Sequence, residues 1–146
     1  MKVAGIITKK GLPVQTIQPW STVAEAVHRL AGPPRIGALV VTGPAGQIIG
    51  MITERDIIRG LERHGGQLLD RQVADVMERH VPVCSPQDSV DHVMMQMTRL
   101  RCRHLPVVNE RGQLAGLISI GDAVKHRIDE IRLETDVLRD LYIASR

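Results

Sequence analysis

The chain repeats itself, and this duplication constrains its fold more than any other feature. Gly46-Gln47-Ile48-Ile49-Gly50-Met51-Ile52-Thr53-Glu54-Arg55-Asp56 returns 66 positions later as Gly112-Gln113-Leu114-Ala115-Gly116-Leu117-Ile118-Ser119-Ile120-Gly121-Asp122. Leu39-Val40-Val41 matches Leu105-Pro106-Val107 at the same displacement. Pro19-Trp20-Ser21-Thr22-Val23 matches Pro86-Gln87-Asp88-Ser89-Val90 one position further on. One residue has therefore been gained or lost between the first helix and the next strand of a repeat.

Each copy reads as the same string of elements. A short strand is expected near Val14–Ile17, with a counterpart near Pro82–Ser85. A helix follows over Thr22–Leu30, capped by Ser21 or Thr22, with Val23, Val27 and Leu30 on one face. Its second copy spans Ser89–Leu100 and aligns Val90, Met94, Met97 and Leu100, the methionines serving as core filler. Two strands joined by a tight turn come next: Ala38–Thr42 with Gln47–Ile52, then Leu105–Asn109 with Gln113–Ile118. A second helix begins at Thr53 and at Ser119. The first of these stops at His64-Gly65-Gly66. Leu68–Arg79 reads as a linker with a short helix near Val73–Met77. The last helix is longer than its counterpart. Ile120, Val124, Ile128, Ile131, Leu138 and Tyr142 share a stripe that calls for packing against the other repeat or another chain.

Composition narrows the classes. The 146 residues are 43% hydrophobic and 24% charged, as expected of a globular soluble chain. Only 1% are aromatic, so a flat base bound here is to be gripped by aliphatic side chains. Nineteen basic against 16 acidic residues leave a formal charge of +3, without a dense Lys/Arg run. Nucleic acid is a poor fit, because stacking aromatics are also missing. Cys84 and Cys102 lack CxxC spacing and read as small apolar residues in a reducing compartment. No apolar stretch is long enough to span a bilayer, and the expected location is the cytoplasm. The six histidines show no zinc spacing, and no GxSxG, GxxxxGK[ST] or GxGxxG is present. Nothing calls for an enzyme.

The motif that carries chemistry is Gly50-x-x-Thr53-x-x-Asp56 with its echo Gly116-x-x-Ser119-x-x-Asp122. Two readings stand side by side. As a capping box, the hydroxyl and carboxylate secure the first helical turn, contributing roughly 1 kcal/mol. As a ligand site, the helix N-terminus suits a phosphate and the carboxylate suits a ribose diol. A cap can be recruited to binding, and duplication of the whole unit favours that use. Arg55, Arg59 and Lys125 on the second helices could reach a phosphate or remain solvated.

On these motifs, together with Arg103-His104-Leu105-Pro106-Val107-Val108, the chain resembles a tandem pair of cystathionine-β-synthase (CBS) domains, a Bateman module, from about Gly11 to Ile128. The resemblance implies an α/β (α+β) fold of two β-α-β-β-α repeats packed as a pseudo-twofold pair, with clefts between them. Repeat 1 would occupy 1–66, a linker 67–80, and repeat 2 with its extended helix 81–146. The resemblance also implies a non-catalytic sensor for AMP, ADP, ATP or NADH, with S-adenosylmethionine possible, that forms a homodimer and signals to a regulated protein. It assigns Asp56 and Asp122 to ribose, and Thr53 and Ser119 to ribose or phosphate. Thr16 would contact the adenosine, and Ile36-Gly37-Ala38 and Arg103-His104-Leu105 would line the base or phosphate. Val83, the counterpart of Thr16, lacks a hydroxyl, so the two clefts should be unequal. The rival readings are a ligand-independent interaction module and, behind it, a nucleic-acid-binding module.

Overall fold

A computed structural model describes residues 1–11 and 13–146. Repeat 1 contains β1 (Thr16–Ile17), α2 (Val23–Ala31), β2 (Ala38–Thr42), β3 (Ile48–Thr53) and α3 (Glu54–His64). Repeat 2 contains α4 (Val90–Leu100), β4 (His104–Val108), β5 (Leu114–Ser119) and α5 (Ile120–Ala144). A helix α1 (Val3–Lys10) precedes them, and two short 3-10 turns, Gly65–Asp70 and Val73–Asp75, lie between the repeats. The α+β architecture expected from the sequence is present.

The local signals work as read. Thr22 and Ser89 cap α2 and α4, their hydroxyls accepting from Glu25 N and His92 N at 3.1 Å. Both hairpins are antiparallel in equivalent registers: Ala38 pairs with Thr53 and His104 with Ser119. Each therefore delivers its Thr or Ser directly to the start of the following helix. Cys84 and Cys102 are free thiols, Cys84 buried. No helix among the described residues is long and apolar enough to cross a membrane.

Two small cores result. One gathers Ile17, Ala26, Leu30, Leu39, Val41 and Ile52 with Val73 and Met77 from between the repeats. The other gathers Cys84, Val90, Val93, Met97, Leu105, Val107 and Ile118 with Val3 and Ile6 of α1. In α4 the buried face runs through Val90, Val93 and Met97. It is rotated from the expected stripe, so Leu100 stays half exposed at the helix end.

The strand expected near Pro82–Ser85 is reduced to one parallel bridge, Cys84 with Val107. The cause is Pro106. In repeat 1, Val40 N donates to Gln15 O at 3.2 Å. Pro106 holds the equivalent place and has no N–H to give.

Helix α1 was not foreseen. It lies ahead of repeat 1 yet seats on repeat 2: Val3 N donates to Asp88 O, Ala4 N to Pro86 O and Val90 N to Met1 O, at 2.9–3.0 Å. The segment after α3 treats repeat 1 in the same way. Val73 N donates to Ser21 O, Ala74 N to Pro19 O and Val23 N to Arg71 O, at 2.8–2.9 Å. Val3-Ala4-Gly5-Ile6-Ile7 and Val73-Ala74-Asp75-Val76-Met77 are thus a further, fainter repeat. Gly50 and Gly116 make room for these covers. A Cβ on Gly50 would lie 2.6 Å from Met77 Sδ and 2.8 Å from Glu78 O; one on Gly116 would lie 2.6 Å from Ile7 Cδ1.

The apolar stripe of α5 does not pack on the other repeat. Every residue from 131 to 146 is exposed, including Ile131, Leu138 and Tyr142.

Candidate functional site

A cleft of about 1200 Å³ opens between the repeats. Repeat 1 contributes Gly37, Met51 and the start of α3, from Thr53 through Asp56 to Arg59. Repeat 2 contributes Leu100 to His104 and the start of α5, Ser119-Ile120-Gly121. Glu78 and His80-Val81-Pro82 close it from the connecting segment. Its apolar lining is aliphatic: Met51, Val81, Pro82, Leu100 and Ile120.

Both carboxylates cap their helices. Thr53 N and Thr53 Oγ1 donate to Asp56 Oδ2 at 2.8 and 3.1 Å. Ser119 N donates to Asp122 Oδ2 at 2.9 Å, and Asp122 N to Ser119 Oγ at 3.1 Å. In each case Oδ1 is left over, so capping and binding can coexist on one side chain.

Their surroundings then diverge. Asp56 is buried (8% exposed) at the edge of the cleft. Burial pushes its carboxyl above the ordinary carboxylate range, against the Thr53 hydrogen bonds and the charge of Arg59. Asp122 does not line this cleft. Lys10 Nζ, arriving at the end of α1, donates to Asp122 Oδ2 at 2.9 Å and to Leu117 O at 3.2 Å. Burial also pushes the Asp122 carboxyl up, but the Lys10 and Ser119 hydrogen bonds outweigh it, so the net shift is downward. Among the described residues no cation is bound to the Asp56 carboxylate, whereas Asp122 holds Lys10.

Among the other expected site residues, Thr53, Arg55, Gly37, Arg103, His104 and Ser119 come together in the cleft. Thr16, Ile36, Ala38 and Leu105 do not line it. Thr16 pairs with Val40 in the sheet, and its carbonyl accepts from Arg29. Ile36 packs against the first core and Leu105 is buried in the second, whereas Ala38 is buried on the strand face opposite Leu39 and Val41. His104 crosses between the repeats. A Cβ on Gly37 would lie 2.6 Å from His104 Nε2, so a side chain there would push the imidazole aside. Burial, then the positive charge of Lys10, holds His104 below the usual histidine range.

Lys10, Glu78, His80 and Arg101 were not singled out from the sequence. Lys10 and His80 hold equivalent places in the faint repeat that begins at Val3 and Val73. That alignment was the one signal able to flag them.

The CBS domain profile matches this chain twice, over residues 3–63 and 73–129. The chain belongs to the CBS-domain family. Both matches begin at the covering segments, Val3 and Val73. A CBS-domain-containing protein of Agrobacterium tumefaciens superimposes with a TM-score of 0.82 at 38% identity, over 87% of this chain and 99% of that one. A CBS domain protein of Pyrobaculum aerophilum complexed with AMP gives a TM-score of 0.74 at 25% identity, over 84% and 89%. A mitochondrial CBS domain-containing protein of Arabidopsis thaliana is 32% identical over 139 residues, 90% of this chain and 67% of that protein.

Proposed function

We propose that this CBS pair is a non-catalytic sensor that binds an adenine nucleotide in the cleft between its repeats. The observation that carries the reading is the convergence of Thr53, Asp56 and Ser119 on one cleft that both repeats build. Asp56 Oδ1 suits a ribose diol, and the aliphatic walls suit an adenine face. The AMP complex of the Pyrobaculum relative supports the ligand class. Because the walls belong to both repeats, a ligand favours whichever arrangement brings them to the right separation. A partner protein that prefers that arrangement would read occupancy as a population shift.

The two halves are unequal in this reading. Asp56 offers an open carboxylate, whereas a ligand at Asp122 must first displace Lys10 or recruit it. Calorimetry with AMP, ATP, NADH and S-adenosylmethionine tests the proposal. Saturable heat with about one tight site per chain is expected; no heat and no thermal shift at millimolar ligand would overturn it.

The working form is a homodimer in this reading. An unpacked helix as short as the 131–144 segment is marginal in water, and it carries Ile131, Leu138, Leu141, Tyr142 and Ile143 half exposed or more. A second copy would bury them. Light scattering should give a dimer for the whole chain and a monomer after truncation at residue 130. A monomeric whole chain removes the dimer from the proposal.

A further inference from the structure

The two covering segments part company at their ends. In repeat 1 the chain leaves the 3-10 turn Val73–Asp75, and Glu78 then pairs with Met51 as an isolated antiparallel bridge. Glu78 N donates to Met51 O at 2.9 Å and Met51 N to Glu78 O at 3.0 Å. With Val3 set against Val73 and Leu117 against Met51, the same bridge falls between Thr8 and Leu117. It is absent among the described residues. Thr8 is still helical there, and its hydroxyl donates to Ala4 O at 2.9 Å.

The reason is local. Gly11 ends α1 in the left-handed region, at φ 60°, and its N–H donates to Ile7 O at 3.3 Å. Val81 holds the equivalent place in the other segment and, being β-branched, avoids that region. Lys9 and Lys10 favour the helix end further by meeting its partial negative charge. Because the helix persists to Lys10, that side chain takes the Leu117 carbonyl a bridge would have used, at 3.2 Å. It also takes the Asp122 carboxylate, at 2.9 Å.

We propose that Lys10 is a tethered plug of a second nucleotide site at Asp122, gated by two backbone states of Thr8–Lys10. In the closed state the segment is helical, and the ammonium stands on Asp122 where a ribose would bind. In the open state Thr8 pairs with Leu117 as Glu78 pairs with Met51, and Lys10 swings clear. This switch rests on the adenine-nucleotide reading of the first cleft and goes beyond it. Opening gives up a helical turn and a charge-assisted contact, and gains two backbone hydrogen bonds. A ligand that binds only the open state therefore shifts the populations toward it.

The test is calorimetric titration of the full chain with AMP, in the wild type, Lys10→Met and Gly11→Val. Lys10→Met removes the ammonium and keeps the stem. Gly11→Val keeps the ammonium and strains the helix end, where the added Cβ meets only Lys9 O at 3.9 Å. The wild type should take about one AMP per chain, any second binding being weaker by about tenfold or more, the scale of breaking one charge-assisted contact first. Each variant should strengthen the second binding by about tenfold and bring the stoichiometry to about two. In either variant saturated with AMP, the carbon chemical shifts of Thr8 should move from helical to extended values. Two equal sites in the wild type, a single site in both variants, or a second AMP bound with Thr8 still helical overturns the plug and leaves the first cleft standing. No AMP bound by any of the three proteins overturns the nucleotide reading and the plug with it.

Discussion

Gly50→Val is expected to be strongly damaging, lowering the melting temperature by about 6–12 °C, the equivalent of ~3 kcal/mol for a chain of this size. The added Cβ would sit 2.8 Å from the Glu78 carbonyl oxygen, and that carbonyl is not free to retreat. It accepts from Met51 N at 3.0 Å, while Glu78 N donates to Met51 O at 2.9 Å. Relieving the clash means opening this pair and lifting the covering segment from repeat 1. Val73 and Met77 would then lose part of their burial in the first core. Gly116→Val provides the contrast. Its Cβ meets only side-chain atoms of Ile7, at 2.6–3.1 Å, and Ile7 can turn aside. Its loss should be less than half as large. Thermal denaturation followed by circular dichroism reads both, and equal losses would contradict the account of the two covers.

Asp56→Asn should weaken nucleotide binding by about 10–100-fold, the range for losing a hydrogen bond to a charged group. Asparagine keeps an oxygen to accept from Thr53 N, so the helix cap survives and the melting temperature should move little. What disappears is the negative charge and one acceptor facing the ribose. Asp122→Asn should cost less affinity, since Lys10 already occupies that carboxylate. The raised carboxyl of Asp56 adds a pH signature. Its charge is lost earlier on acidification than that of an ordinary aspartate. Binding should therefore fade from the upper end of the carboxylate range downward, and the Asn variant should lack that limb. An unchanged affinity in Asp56→Asn would remove this residue from the site.

What could be read directly from the residues is local. The hairpins follow from Gly43-Pro44-Ala45-Gly46 and Asn109-Glu110-Arg111-Gly112, the helix starts from Thr22, Thr53, Ser89 and Ser119, and the stop of α3 from paired glycines. Each is decided within a few residues by backbone preference or a side-chain cap. What escaped is non-local. Nothing within Val3–Lys10 says that this helix closes a core built around Val90, Met97 and Ile118. The effect of Pro106 on the strand at Cys84 depends on a partner more than twenty positions away in sequence. The cleft was half legible. Its Thr, Ser and Asp announced themselves by spacing, but Leu105 faces the second core and Ala38, buried on the other face of its strand, stays out of the cleft lining. Lys10 and His80 lie in a repeat whose similarity has decayed to a few apolar positions.

The crossing of α1 to the far repeat makes the two halves mutually dependent. A cut at the junction would yield one piece carrying a helix with nowhere to sit and another with an open hydrophobic flank. During synthesis, Val3 and Ile6 emerge before Leu105, Val107 and Ile118 and stay uncovered until those have followed. The last strand to be made thus fastens the first helix, so the module closes as a clasp only when nearly all of it exists.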